Sequence, residues 1–112
     1  MSGLPEVSAA EAIELAKNGT WVLDVREQEE WDRGHSPLGH LLPMSALAER
    51  LPEVPTGQRV LVICHAGSRS LRVARSLHDA GYDAVNVVGG MLAWAAAGGE
   101  LVSEGPDDPR IG

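Results

Sequence analysis

The stretch of chain that decides the fold is Val60-Leu61-Val62-Ile63-Cys64-His65-Ala66-Gly67-Ser68-Arg69-Ser70. Its first four residues are all apolar and three of them are β-branched, which is typical of a strand covered on both faces of a parallel sheet. The small residues at 64–68 predict a loop, and a helix is predicted from Arg69 to Ala80, ended by Gly81. The stretch is therefore a strand–loop–helix unit with a cysteine at the end of the strand.

Outward from this unit, helical and strand patterns alternate along the chain. The predicted helix 69–80 is amphipathic, with an apolar half and a half that carries arginines. Ser8 and Glu11 form a capping box that starts a helix. The further predicted helices are 9–16, 27–32, 45–51 and 91–97, and the further predicted strands are 21–25 and 84–88. This order predicts an α/β fold with a mostly parallel central sheet and helices on both faces.

Two stretches show no regular pattern. Residues 34–44 contain Pro37, Gly39 and Pro43 and are predicted to be irregular. Residues 103–112 are polar and interrupted by prolines, which predicts a flexible C-terminal tail. Since 112 residues suit one small domain, we predict one domain over 1–102 and a tail over 103–112.

Composition excludes several classes of protein. Nine Lys and Arg against 16 Asp and Glu give a net charge of −7, which argues against general binding of nucleic acid or of anionic membranes. No apolar run approaches the roughly 20 residues that span a bilayer. The first fifteen residues contain three glutamates and no basic residue, so we expect no secretory signal and a cytoplasmic protein. The single cysteine can form neither an internal disulfide nor a cysteine-based zinc site.

The charge is unevenly distributed around that cysteine. No acidic residue lies between Glu53 and Asp79, and four arginines do, so this window carries +4 and the rest of the chain −11. Chance clustering on a solvated helix face explains such a window equally well. The position of Cys64 inside the window favours a site for a small anion.

Cys64 lies where parallel α/β sheets bind their ligands, beyond the carboxyl end of a strand. Inward-pointing loop amides and a helix N-terminus form a cradle that stabilises an anion such as a thiolate. Gly67 allows a backbone conformation that a Cβ would hinder, and Arg69 offers a planar fork of donors to an oxyanion. The competing interpretation is that Cys64 is an ordinary buried small residue. For His65 we expect a solvent-facing side chain.

The segment Cys64-His65-Ala66-Gly67-Ser68-Arg69-Ser70 resembles the C-x-x-G-x-R-S active-site loop of the rhodanese family in its single-domain form. Two further segments, Val22 to His35 and Gly81 to Trp94, resemble that family's other characteristic stretches. The resemblance runs from about Leu4 to Gly99 and predicts a small rhodanese-like domain. The chain departs from the family at Ser36 to His40, which concerns a loop and not the chemistry at Cys64.

The resemblance implies a sulfurtransferase in which Cys64 is catalytic. Cys64 would take the outer sulfur of thiosulfate as a persulfide and pass it to cyanide or to a thiol, including a thiol of another protein. The resemblance implies no metal and no cofactor. The substrate-binding residues that it implies are His65, Ala66, Gly67, Ser68 and Arg69.

Other conspicuous residues have mainly structural interpretations. We expect Asp24 and Arg26 to form an ion pair or to hold a loop, and His35 to make a hydrogen bond that fixes a loop. The three tryptophans are expected to pack in the core or at its rim. Ser70 either donates to the loop or to the thiolate, or is small because space is tight.

Three alternative functions stay open. A persulfide carrier between a cysteine desulfurase and a biosynthetic partner would use the same chemistry at Cys64. A small phosphatase or arsenate reductase is disfavoured, because those enzymes place five residues between cysteine and arginine, and here four intervene. A non-catalytic binding module would have no need of Cys64, Gly67 and Arg69 together.

Overall fold

The computed structural model describes residues 4–112 and contains five strands and five α-helices in that range. The first three residues of the predicted domain lie outside it. Two short 3-10 segments, Met44–Ala46 and Leu51–Glu53, flank α3. In chain order the elements are β1 (Glu6–Val7), α1 (Ala9–Lys17), β2 (Trp21–Asp24), α2 (Gln28–Arg33), β3 (Gly39–Leu41), α3 (Leu47–Arg50), β4 (Arg59–Ile63), α4 (Ser68–Asp79), β5 (Asp83–Val87) and α5 (Gly90–Ala96).

The five strands form one sheet in the order β1-β5-β4-β2-β3, and every pairing between them is parallel. The predicted α/β fold with a parallel central sheet is thereby confirmed. The strand β4 lies in the middle, between β5 and β2, as its continuous apolar sequence predicts. Its carboxyl end therefore opens at the centre of the sheet edge.

Side chains on the two faces of the sheet form two apolar layers. One layer includes Ala12 and Ile13 of α1 together with Met91 and Trp94 of α5. The other includes residues of α4, and Leu47 of α3 packs against it. Helices thus cover both faces, as predicted. The capping box is also present, because the Glu11 amide donates to Ser8 Oγ at 3.1 Å and the Ser8 amide to Glu11 Oε1 at 3.3 Å.

The prediction that 34–44 is irregular is wrong at Gly39–Leu41, which forms β3 on β2. The two-residue strand β1 was not predicted either. Both are edge strands, and both are too short to show a period of their own. They form because a neighbouring strand offers unpaired backbone groups. The helix predicted over 45–51 is α-helical only at Leu47–Arg50.

The last ten residues form no helix or strand but lie against the domain. Arg110 N donates to Arg33 O at 2.9 Å, and Ile111 is 9% exposed within the layer beneath α1 and α5. The division into a domain over 1–102 and a tail stays a prediction. Between residues 4 and 112, the helices are all too short or too polar to cross a bilayer.

Candidate active site

Cys64 is the first residue after β4, and it is only 1% exposed. The amide of Gly67 donates a hydrogen bond to Cys64 Sγ at 3.1 Å. Gly67 is also the N-cap of α4 and has φ +116°, a left-handed conformation that side chains with a Cβ rarely adopt. The conformational freedom of glycine is therefore what brings a backbone donor onto the cysteine sulfur.

The carbonyl groups of the loop are bound by α5. Met91 N donates to Cys64 O at 2.8 Å and Leu92 N to His65 O at 3.1 Å. A Cβ at Gly90 would lie 2.5 Å from each of these carbonyl oxygens, so only glycine permits this contact. The C=O and N–H of a trans peptide unit point in opposite directions. The amides of His65 and Ala66 are therefore turned away from α5.

The beginning of α4 supplies further donors. Ser68 and Arg69 are its first two residues, and amides in a first turn have no acceptor within their helix. The side chains of Ala66 and Ser68 are exposed, and His65 is half-buried. The residues predicted to bind substrate are thus contiguous, over the loop after Cys64 and the first two positions of α4, and among the described contacts it is the Gly67 amide that reaches the sulfur.

The guanidinium of Arg69 is held by Glu30 of α2. Arg69 Nη1 and Nη2 donate to Glu30 Oε1 and Oε2 at 2.7 and 2.8 Å. This bidentate bond is the main cause that lowers the pKa of Glu30 from 4.5 to about 2, and it raises the pKa of Arg69. The guanidinium of Arg69 therefore binds a carboxylate, whereas the sequence analysis predicted that its donors would be available to an oxyanion.

Glu30 was not among the residues predicted for the site. Besides binding Arg69, its Oε1 accepts from the Glu27 amide at 3.0 Å, which completes a capping box at the start of α2. The usual sequence signal for that box is missing, because the N-cap is Glu27 and not Ser, Thr, Asp or Asn. Its second role could not be seen, because Arg69 is 39 residues away in sequence.

A buried ion pair holds α2 in place. Arg26 Nη2 lies 2.8 Å from Asp24 Oδ2, and both residues are 1% exposed, so they form the predicted ion pair. Arg26 also donates to Glu30 O at 3.3 Å and to Gly34 O at 2.9 Å. Because these carbonyls lie near the middle and at the end of α2, the pair fixes the helix that carries Glu30.

His35 and Ser70 make hydrogen bonds away from the cysteine sulfur. The His35 ring nitrogens lie 2.9 Å from Ser36 O and 2.7 Å from Glu104 Oε2. The Ser70 hydroxyl lies 2.8 Å from Asn86 Oδ1 and 3.2 Å from Gly67 O. Of the two hydrogen-bonding roles considered for Ser70, contact with the loop is therefore the one observed.

Comparisons with known proteins match this chain to one family. The family model described as "Rhodanese-like domain" matches residues 8–97. Thiosulfate sulfurtransferase GlpE of Pseudoalteromonas translucida (strain TAC 125) is 30% identical over 98 residues, which are 86% of this chain and 93% of that protein.

A second relative is longer than this chain. "Putative sulfur carrier protein YrkF" of Bacillus subtilis (strain 168) is 35% identical over 97 residues, or 83% of this chain and 52% of that protein. The chain thus spans about half of that relative. Among solved structures, a rhodanese-related protein from Thermoplasma volcanium superposes with a TM-score of 0.81 at 30% identity, over 88% of this chain and 97% of that one.

Proposed function

The chain belongs to the rhodanese-like domain family, which includes sulfurtransferases, and we propose that it transfers the outer sulfur of thiosulfate to cyanide or a thiol through a persulfide on Cys64. The observation that carries this proposal is the Gly67 N–H···Sγ hydrogen bond of 3.1 Å. It belongs to a loop whose first two carbonyl groups are bound by α5. Such a loop can stabilise a sulfur anion with backbone donors alone.

The reaction proceeds in two displacements. The Cys64 thiolate attacks the outer sulfur of thiosulfate, a new S–S bond forms, and sulfite leaves with the electron pair of the bond that breaks. Cyanide or a thiolate then attacks the terminal sulfur of the persulfide. The S–S bond to Cys64 breaks, thiocyanate or a new persulfide leaves, and the Cys64 thiolate is restored.

Arg69 keeps a role in binding the donor within this proposal. Glu30 accepts one N–H from each terminal nitrogen of the guanidinium, which leaves three of its five donors for an oxyanion. Because Cys64 is 1% exposed, its sulfur reacts only after the loop or a neighbouring side chain has moved enough to admit a donor. We place the reaction in the cytoplasm, where thiols stay reduced.

The test is the intact mass of the protein after mixing with thiosulfate. Since the chain has one cysteine, a gain of one sulfur atom reports on Cys64 alone. We expect that gain in the wild-type protein, its loss on adding cyanide, and thiocyanate in the solution. Cys64→Ser is the matched control, and thiocyanate production by this variant at the wild-type rate would refute the mechanism. Arg69→Ala should chiefly raise the KM for thiosulfate.

A second candidate function is that of a persulfide carrier. The similarity to a protein named as a sulfur carrier favours it, as does the absence of a second cysteine to resolve the persulfide. The same mass measurement separates the two. A gain of sulfur from a cysteine desulfurase, with no gain from thiosulfate, would favour the carrier, whereas hydrolysis of an aryl phosphate would favour a phosphatase.

A further inference from the structure

The positive charge of Arg69 is balanced by the protein itself. Glu30 accepts hydrogen bonds from both terminal nitrogens of the guanidinium, at 2.7 and 2.8 Å. These bonds are the main cause that lowers the pKa of Glu30 to about 2, so its carboxylate is ionised at neutral pH. They are also the first cause that raises the pKa of Arg69, to which the charges of Cys64 and Glu27 add. Arg69 therefore brings a fork of donors to the site of Cys64 without an uncompensated charge.

The carboxylate of Glu30 is fixed where it meets Arg69. Its Oε1 also accepts from the Glu27 amide at 3.0 Å, and its side chain is only 21% exposed. The backbone carbonyl of Glu30 accepts from Arg26, which is itself paired with Asp24 and adds no net charge. Glu30 would have to break the capping box and the bidentate bond together to leave Arg69. Its negative charge thus stays in place when a donor binds.

The free donors of Arg69 determine where a substrate oxyanion lies relative to Glu30. Glu30 occupies the edge between the two terminal nitrogens, so the edge that still offers two parallel donors is formed by Nε and one terminal nitrogen. With ordinary hydrogen-bond lengths, an oxyanion on that edge has its centre about 7 Å from the Glu30 carboxylate. Since both side chains are partly exposed, repulsion at this distance weakens binding about threefold to tenfold for each negative charge of the donor.

We propose that Glu30 is a specificity-determining residue of the donor site, and that its charge favours sulfane-sulfur donors with a single negative charge over dianions such as thiosulfate. Thiosulfonates and the persulfides of thiols are donors of this class. The proposal rests on the function proposed above and adds to it the charge of the preferred donor. Thiosulfate remains a donor, but it binds more weakly than it would beside a neutral side chain.

The test uses two donors of similar shape that differ by one unit of charge. In methanethiosulfonate a methyl group replaces one charged oxygen of thiosulfate. With either donor the Cys64 thiolate forms an S–S bond to the outer sulfur, and sulfite or methanesulfinate leaves with the electron pair of the S–S bond that breaks. The second-order rate of persulfide formation is measured by quenching and intact mass. Glu30→Gln should raise the ratio of the thiosulfate rate to the methanethiosulfonate rate about threefold to tenfold.

Two control variants separate charge from structure. Glu29→Gln removes the same charge from an exposed position on α2 and should leave the ratio at its wild-type value. Glu30→Asp keeps the charge and should also keep the ratio. Glu30→Gln retains an oxygen for the capping box, which favours folding. If it does not fold, Glu30→Met, of similar length and helix propensity, takes its place with the same expected change. An unchanged ratio in the folded variant would overturn the proposal, whatever happens to the absolute rates.

Alkylation of Cys64 tests the charge at the site without sulfur transfer. Iodoacetate carries one negative charge and iodoacetamide none, and in both reactions the thiolate displaces iodide from carbon. Because the chain has one cysteine, intact mass reports on Cys64 alone. The ratio of the iodoacetate rate to the iodoacetamide rate should rise about threefold to tenfold in Glu30→Gln and stay unchanged in Glu29→Gln. If the wild-type protein takes sulfur from neither donor, the proposed function is refuted and the alkylation ratio decides the role of Glu30.

Discussion

The bond between Glu30 and Arg69 should make stability depend on pH, and Glu30→Gln tests this. The substitution keeps one oxygen that can accept from Arg69 but removes the negative charge. The pKa of Glu30 is lowered from 4.5 to about 2, chiefly by the hydrogen bonds from Arg69, and this difference corresponds to about 3 kcal/mol. Both side chains are partly exposed, at 21% and 31%, so solvent screens the pair. We therefore expect Glu30→Gln to lower the free energy of unfolding by about 1–2 kcal/mol near neutral pH.

The sign of the pH dependence follows from the lowered pKa. The folded protein holds Glu30 ionised more strongly than the unfolded chain does, so this stabilisation is fully present above pH 4.5. It is lost as the pH falls from 4.5 towards about 2, because the unfolded chain takes up a proton on Glu30 in this range before the folded protein does. The difference in unfolding free energy between wild type and Glu30→Gln, which is the deficit of the variant, should therefore become smaller as the pH falls from 4.5 towards about 2.

Urea unfolding followed by the fluorescence of the three tryptophans measures the deficit. Wild type and variant are compared at about pH 7 and about pH 3.5, where roughly half or less of the deficit should remain. Glu29→Gln is the matched control, since Glu29 is an exposed neighbour on α2 and forms no ion pair within residues 4–112. A deficit of equal size at both pH values, or the same deficit in Glu29→Gln, would refute the reasoning.

Three further predictions concern the surroundings of the loop. Gly90→Ala should lower the free energy of unfolding by about 2 kcal/mol or more and should slow sulfur transfer. The reason is that Gly90 has φ +59° and that a Cβ there would lie 2.5 Å from two loop carbonyl oxygens. Urea unfolding measures the first effect and the thiocyanate assay the second. Asp24→Asn should lower the free energy of unfolding, measured in the same way, by about 3–5 kcal/mol, because it leaves the buried charge of Arg26 without its partner. Deletion of 103–112 should lower the thermal midpoint, since burial of Ile111 contributes about 1.5–3 kcal/mol, and an unchanged midpoint would support a flexible tail.

Local patterns were sufficient to predict the elements that position Cys64. Val60 to Ile63 form a continuous apolar run, and α4 shows a helical period, so the strand, the loop and the helix can be placed without tertiary information. The observed helix begins at Ser68, one residue before the predicted Arg69, because Gly67 acts as its N-cap. Helix ends commonly differ by this amount.

Contacts between elements could not be predicted in the same way. The pairing of Arg69 with Glu30 depends on how α2 lies against the N-terminus of α4, and α2 is in turn fixed by Arg26. The bond from Ser70 to Asn86 joins residues 16 apart on different elements. The short strand β3 exists because β2 offers it a partner. Each of these depends on the folded arrangement, which a local period does not describe.

The structure changes the interpretation of the positive window, the stretch between Glu53 and Asp79 that contains Cys64 and four arginines. Arg69 is paired with Glu30, and Arg59 lies 3.6 Å from Asp83, so two of its four arginines are compensated by carboxylates from outside the window. The other two are exposed on α4. Among the described contacts, the donor to the sulfur is therefore the Gly67 backbone amide, and the fold sets its direction. A neutral dipole of this kind neither titrates nor attracts distant polyanions, so under the proposed function a chain of net charge −7 would stabilise one small anion at Cys64 while repelling large ones.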